Sequence, residues 1–422
     1  MQKHSKIRNV PFPRPCGAPG NDAQKLHAPT FSHFRGAAFL HEVLCPEVGL
    51  VLLLVLWGNR RVKRSAGGAS RQVFIDIAMV FPVIWYVKLN STYRASEARA
   101  GERRCLCMLT VRNVSHDPFY NQAFEEYVYQ TYLDDDIFLL WQNAPAVVVG
   151  SYQNICREVH VEALRQRGIP VVRRISGGGT VYHDLGNVNY TYIVRASGTV
   201  DYDAVLSPVI AALNEVGVPA RKSRTCDIAI GDLKISGSAQ RMTKGRLLHH
   251  GTLLFSSDLG VLDQITTHRK NDCFQSRGTQ SAICTVTNIR EHLANPMTIE
   301  EFQDRLLAQM VPPGCPHLTL TAEQEAEVCR LRDEKYRSWE WTWGKTPAFT
   351  YEKSGQFHGA PIRVAYQAKR GIVSDAVIDC DAIDGALAAQ LLNGARLDPE
   401  GFVAICRHLA GDGAEELMDY LM

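Results

Sequence analysis

The chain has 422 residues, of which 45% are hydrophobic and 21% charged; at ~150 residues per domain this is two or three ordinary globular domains. A formal net charge of +2 gives no general attraction for nucleic acid or for an anionic membrane surface. Twelve cysteines without any C-x-x-C spacing argue against a zinc site and a secreted disulfide framework, and for a reducing compartment.

Residues 1 to about 105 read differently from the rest. Residues 1–40 carry six Lys or Arg and one acid, Asp22. Basic, acid-poor composition suits a mitochondrial presequence, although Pro11, Pro13, Pro15 and Pro19 would interrupt an amphipathic helix. The apolar run 48–57 is too short to span a bilayer. A longer run, 74–87, contains Asp76 and Pro82. The segment reads as a transit or poorly ordered leader, with a misplaced gene start and a membrane anchor as alternatives, and no firm membrane association is expected.

Regular patterning begins near Leu109. A strand is expected over 108–114. Ser115-His116-Asp117-Pro118 then offers a capping side chain and an early proline for a helix over 119–132. Tyr120, Phe124, Tyr127 and Val128 recur at helical spacing and should face a core. Strands over 137–141 and 146–150 flank the turn Gln142-Asn143-Ala144-Pro145. A helix over 158–166 leads to an apolar strand, 169–172.

That strand runs into Arg173-Arg174-Ile175-Ser176-Gly177-Gly178-Gly179-Thr180-Val181-Tyr182-His183-Asp184. Three glycines tolerate positive φ and let another backbone or a ligand approach closely. Such a loop can aim several N–H groups at one anion, and the arginines add planar, charged donors. Taken alone, it reads first as a flexible hairpin turn with two solvated arginines.

Beyond it, a strand over 188–194 and a helix over 202–216 follow. Cys226 to Ile230 is a short strand carrying Asp227. Lys234 lies in Leu233-Lys234-Ile235-Ser236-Gly237-Ser238-Ala239. Residues 240–246 read as a hairpin tip, and His249-His250-Gly251-Thr252 opens the next strand. Adjacent histidines alternate faces in a strand, so at most one enters a shared site. A helix over 298–309, the linker Pro312-Pro313-Gly314 and a helix over 322–337 come next. The tryptophans of Ser338-Trp339-Glu340-Trp341-Thr342-Trp343 would share one face at period two. Strands over 362–367 and 371–378 and helices from about 383 complete the chain.

Together, Arg173 to Asp184, Gly186-Asn187, Asp227, Lys234 to Ala239 and His249 to Leu254 resemble the lipoate–protein ligase A and mitochondrial lipoyltransferase family, over roughly three quarters of the chain. The resemblance implies an α/β (α+β) fold like the biotin and lipoate ligases. Its catalytic domain, 106–312, has mixed, largely antiparallel sheets flanked by helices; a small α+β carboxy-terminal domain, 322–422, follows. It also implies attachment of a lipoyl group to a lysine of lipoyl domains, in 2-oxoacid dehydrogenase E2 subunits and the glycine cleavage H protein, by a mitochondrial monomer that binds no nucleic acid.

By the same resemblance Lys234 contacts both lipoate and nucleotide. Arg174, Gly177, Gly178, Gly179, Thr180, Val181 and Tyr182 line the nucleotide, and Arg173, Arg241 and His250 lie near lipoate. Asp227 could orient Lys234, bind Mg²⁺ or take the incoming amine's proton. The substrate is lipoate or lipoyl-AMP, with ATP and Mg²⁺ if the full ligase reaction is retained. Transfer from lipoyl-AMP or a lipoylated carrier is the first reading. A complete ATP-dependent ligase and a silent lipoyl-domain binding protein are the alternatives. Segment 277–288 corresponds to one that in bacterial members often carries serine and arginine, where this chain has Ala282-Ile283-Cys284.

Three further expectations follow. Residues 1–105 should be dispensable for catalysis, since every matching motif begins later. Arg174, at the mouth of the loop, should be removable without harm to the fold. Lys234, an ammonium between Leu233 and Ile235, should lack a countercharge until an anion arrives, and its loss should maintain or raise the melting temperature. Cys226, beside Asp227, reads as a small buried hydrophobe rather than a nucleophile.

Overall fold

The computed structural model describes residues 108–196, 201–266 and 273–422; the leader, with both of its apolar runs, lies outside them. The strands of the first part are β1 (Leu109–Arg112), β2 (Ile137–Trp141), β3 (Ala146–Val149), β4 (Val171–Arg173) and β5 (Val181–His183). They continue with β6 (Asn187–Arg195), β7 (Arg221–Lys222), β8 (Asp227–Ile230), β9 (Leu233–Thr243) and β10 (Arg246–Leu254). Seven of them form one sheet in the order β1-β2-β6-β10-β9-β8-β7. Its pairs are antiparallel except β1 with β2. The fold is the mixed, largely antiparallel α/β architecture expected.

Helices cover both faces of this sheet. Tyr202–Glu215 and Ile299–Met310 pack on one side with Phe138, Tyr192 and Phe255. Pro118–Thr131 covers the other with Leu139, Ile193 and Leu248. Asp117 caps that helix by accepting from the Phe119 amide, with proline in its first turn. Ala322–Leu331 packs on the same side through Val328, and Tyr120 donates to Glu325 at 2.5 Å.

A small three-stranded sheet, in the order β4-β3-β5, positions the glycine loop. β4 runs parallel to β3 and β5 antiparallel. The loop between β4 and β5 is therefore no hairpin: it crosses the end of β3 to reach the other edge.

The carboxy-terminal sheet runs β11 (Cys273–Ser276), β12 (Phe349–Phe357), β13 (Ala360–Lys369) and β14 (Ile372–Cys380), in that order and antiparallel throughout. Its apolar face and the helices Gly385–Leu392, Pro399–Ala410 and Ala414–Leu421 share one buried cluster with Val147, Val149 and Ile155.

The tryptophan segment departs from its expected strand. Ser338 caps a helix, Trp339–Thr342, by accepting from the Trp341 amide. The three rings consequently do not share a face. Trp339 donates to the Leu397 carbonyl at 2.8 Å, while Trp341 donates to the Arg173 carbonyl at 2.7 Å. Among the described residues no helix is long and apolar enough to cross a membrane.

His249 lies within the large sheet, fully buried between Gln240 (2.9 Å) and Tyr190 (3.4 Å). Burial, then the neighbouring His250, pushes its pKa down to about 3. Burial does the same to His183, ahead of Arg174 and His250. Both are neutral when folded, whereas unfolded histidine protonates near pH ~6.5. Their contribution is intact above that value and lost as pH falls toward 3, at about 1.4 kcal/mol per pH unit for each. His249→Gln is expected to flatten the dependence of melting temperature on pH between about 6 and 4. An unchanged slope would show that His249 does not carry it.

Candidate active site

The glycine loop is built around Arg174. Its guanidinium is buried and turned inward. Nε donates to Ser176 Oγ at 2.9 Å, Nη1 to the Val148 carbonyl at 3.0 Å, and Nη2 to the Gly177 and Gly179 carbonyls at 2.6 and 2.7 Å. Burial lowers its pKa to about 10, with the Glu125 charge acting in the opposite sense, so it stays charged at neutral pH. Gly178 has φ +82°, a region costly for residues with a Cβ. Gly150 lies beneath the loop, where a Cβ would sit 2.3 Å from the Gly178 carbonyl oxygen.

A relay continues behind Ser176. Its Oγ lies 2.7 Å from His250 Nε2, and His250 Nδ1 lies 2.9 Å from both Glu125 oxygens. A carboxylate only accepts, so Nδ1 carries a proton toward Glu125, while Nε2 shares a hydrogen bond with the Ser176 hydroxyl. Glu125 also accepts from Thr191 at 2.6 Å, and Thr191 accepts from Trp141 Nε1 at 3.0 Å. Of the two adjacent histidines, His250 alone joins this network.

Lys234 and Asp227 face the loop across a cavity of about 320 Å³. Gly178, Gly179, Thr180, Val181, Arg174, His250, Trp141 and Thr252 share its wall. Asp227 stands opposite Gly237 in the β8–β9 register, and the missing side chain lets Lys234 lie across that glycine, where a Cβ would be 3.0 Å from Nζ. Lys234 Nζ thereby reaches Asp227 at 2.9 Å. The expected uncompensated ammonium is thus corrected: it has a countercharge already. Cys226 is held protonated by burial and then by the Asp227 charge, against a nucleophilic role. Among the described residues no group of three or more His, Cys, Asp or Glu could hold a metal ion.

Segment 277–288 is docked at both ends. Ser281 Oγ accepts from the Thr180 amide at 2.8 Å and from Gln153 Nε2 at 3.0 Å, and donates to Glu158. Farther along, Lys234 exchanges backbone bonds with Thr285 and Thr287, at 2.9 and 3.0 Å. Ala282 lines the cavity, while Ile283 points outward, 77% exposed.

Other residues singled out by the resemblance stand elsewhere. Arg173 is fully buried away from the cavity; it donates to the carbonyls of Thr342 (2.9 Å), Gly150 (2.8 Å) and Gln153 (3.0 Å). Its place is a brace between the loop's base and the tryptophan helix, rather than a lipoate contact. The Tyr182 side chain turns into the carboxy-terminal cluster, leaving its backbone in β5. Gly177 gives its carbonyl to Arg174, and Arg241 braces the Ile175 carbonyl at 2.9 Å. Glu125, Gln153, Glu158 and Ser281 were not foreseen. Each is a polar residue without a local motif, recognisable only once the chain is folded.

The lipoyl protein ligase A/B catalytic domain model matches residues 117–311. A lipoate–protein ligase of Bacillus subtilis is 36% identical over 282 residues, covering 64% of this chain and 84% of the relative. One from Staphylococcus aureus is 35% identical, covering 62% of this chain and 81% of the relative.

This chain belongs to the lipoate–protein ligase family.

Members of the family are enzymes. A solved lipoate–protein ligase A bound with ATP is 25% identical, covering 56% of this chain and 96% of that one, with a TM-score of 0.46.

In this ligase-family site, removing the Arg174 guanidinium would strand the buried Val148 carbonyl and Ser176 hydroxyl, each lost buried bond costing about 1–3 kcal/mol, and release the part-buried carbonyls of Gly177 and Gly179. The expectation of a harmless deletion is therefore replaced. Arg174→Ala should lower unfolding stability by at least ~2 kcal/mol, read by urea titration, as well as weaken ligand binding. A wild-type midpoint would contradict this.

Proposed function

We propose that this protein transfers a lipoyl group from lipoyl-AMP or a lipoylated carrier to a specific lysine of lipoyl domains, in 2-oxoacid dehydrogenase E2 subunits and the glycine cleavage H protein. The observation carrying the reading is the Lys234–Asp227 pair, 2.9 Å apart, facing the glycine loop across one cavity. Attack of an amine on the mixed anhydride builds negative charge on the carbonyl oxygen and the departing phosphate. A fixed ammonium at the junction of acyl group and phosphate stabilises both. The glycine amides are suited to the phosphate, and Trp141 provides an apolar wall for the acyl chain.

A second reading, that the protein also makes lipoyl-AMP from lipoate and ATP, is favoured by the docked segment that covers the glycine loop and Lys234 and by relatives named as lipoate–protein ligases. Asp227 is the carboxylate in the wall that suits a Mg²⁺ carried by nucleotide phosphates; such an ion supplies charge neutralisation when bound. The basic, acid-poor composition of residues 1–40 supports a mitochondrial location.

Lys234→Ala is expected to slow single-turnover transfer from synthetic lipoyl-AMP to an apo lipoyl domain by at least ~100-fold, the scale of one preorganised oxyanion donor. Its melting temperature should now fall, because the buried Asp227 loses its partner. Lys234→Met with Asp227→Asn should recover stability without recovering transfer. Near-normal transfer by Lys234→Ala would overturn the assignment. Comparing lipoate plus ATP, lipoyl-AMP and a lipoylated H protein as donors separates the two readings, and transfer from none of them would refute both.

A further inference from the structure

Three side chains in the cavity wall hold buried polar atoms with no hydrogen-bond partner among the described residues: Gln122 Oε1, His183 Nε2 and Asn189 Nδ2. We propose that they form a selectivity cradle for the far end of the acyl chain, one that admits a terminus bearing sulfur and rejects a plain hydrocarbon chain of the same length. The inference rests on the reading that an acyl-adenylate occupies this cavity.

The sheet places the cradle. Trp141, Asn189 and Thr252 stand opposite one another across β2, β6 and β10. The Gly237 amide donates to Thr252 Oγ1 at 3.2 Å, and Gly237 stands opposite Asp227 on β8. One row of the sheet thus runs from the Lys234–Asp227 pair to Trp141, all of it in the cavity wall. Lys234 Nζ lies over Gly237 of β9, and β10 alone separates β9 from β6. Neighbouring strands are ~4.8 Å apart, so Asn189 lies about 10 Å further along the row. An octanoyl-length chain spans roughly 8–9 Å when extended, at ~1.2 Å per bond. With its carbonyl at Lys234, its end reaches Asn189. Gln122 comes from the helix Pro118–Thr131 that covers this face, and His183 meets the Trp141 ring edge-on, 5.9 Å between centroids.

The hydrogen-bond pattern fixes what the cradle offers. Asn121 donates to Asn143 Oδ1 at 2.8 Å, so the Asn143 amide nitrogen faces His183 Nδ1 at 3.0 Å and donates to it. The neutral ring then carries its proton on Nε2, an unused donor. Asn189 Oδ1 accepts from Asn187 at 2.9 Å, which leaves Nδ2 as a second donor, and Gln122 Oε1 is an acceptor. All three groups are uncharged, so a carboxylate or ammonium terminus would lack a countercharge. A disulfide or thiol sulfur accepts weakly from N–H groups, and a thiol donates weakly in return. A methyl terminus does neither and leaves the buried groups unsatisfied.

The test is calorimetric binding of synthetic lipoyl-AMP and octanoyl-AMP to the full chain, with the ratio of affinities as the readout. Wild type should favour lipoyl-AMP by ~10-fold or more, and Gln122→Met and Asn189→Val should each cut that ratio at least ~3-fold, chiefly by tightening octanoyl-AMP. Lys234→Ala should weaken both adenylates and leave the ratio unchanged. Misfolding of a variant would weaken both ligands alike, and the wild-type ratio stands without the variants. Equal wild-type affinities, or a ratio that both cradle substitutions leave intact, overturns the proposal. A wild type that binds neither adenylate would instead refute the reading of the cavity on which it rests.

Discussion

The site depends on one buried guanidinium. Three successive glycines carry the largest conformational entropy to lose on ordering, and no side chain of their own can fix them. Arg174 does so from beneath, holding the carbonyls of Gly177 and Gly179 and the hydroxyl of Ser176. With carbonyls drawn inward, the amides of Gly177, Gly178 and Gly179 keep no hydrogen-bond partner among the described residues. The buried positive charge is answered by Glu125 through Ser176 and His250. The loop, the helix that carries Glu125 and the strand that carries His250 are thus joined in one chain of hydrogen bonds.

Two neighbouring arginines divide the work. Arg174 shapes the loop, while Arg173 looks the other way. Its guanidinium meets only neutral oxygens, those of Gly150, Gln153, Thr342 and Thr346, and burial, followed by the charge of Arg174, lowers its pKa to about 10. Such a residue is costly to desolvate. Its bonds tie the loop's base to the helix Trp339–Thr342, whose Trp341 returns a bond to the Arg173 carbonyl. The polar site and the carboxy-terminal part are therefore mechanically continuous.

Much of this was legible in the sequence. Strand 137–141, the capped helix after Asp117 and the His249/His250 alternation follow from local patterning, and the motif spacing carried the family. What could not be read were directions and partners. An Arg-Arg pair does not say which guanidinium turns inward. Lys234 looked uncompensated because its partner, Asp227, lies on another strand and reaches it across a glycine. The tryptophans at period two suggested a strand, but the Ser338 cap decided for a helix. Glu125, Gln153 and Ser281 are chemically ordinary in sequence and become specific through contacts more than a hundred residues apart.

In the proposed reaction Lys234 and the glycine loop would act on the same developing charge, so their relative placement must exist before ligand arrives if reorganisation is to be small. The relay from Arg174 to Glu125 supplies that rigidity. The most direct test is the ¹⁵N order parameter of the Gly177, Gly178 and Gly179 amides in ligand-free protein, wild type against Ser176→Ala. The account predicts values near ~0.85 in the wild type and below ~0.6 in the variant, with the flanking β4 and β5 unchanged. Glycines already mobile in the wild type, or equally rigid without the Ser176 hydroxyl, would contradict it.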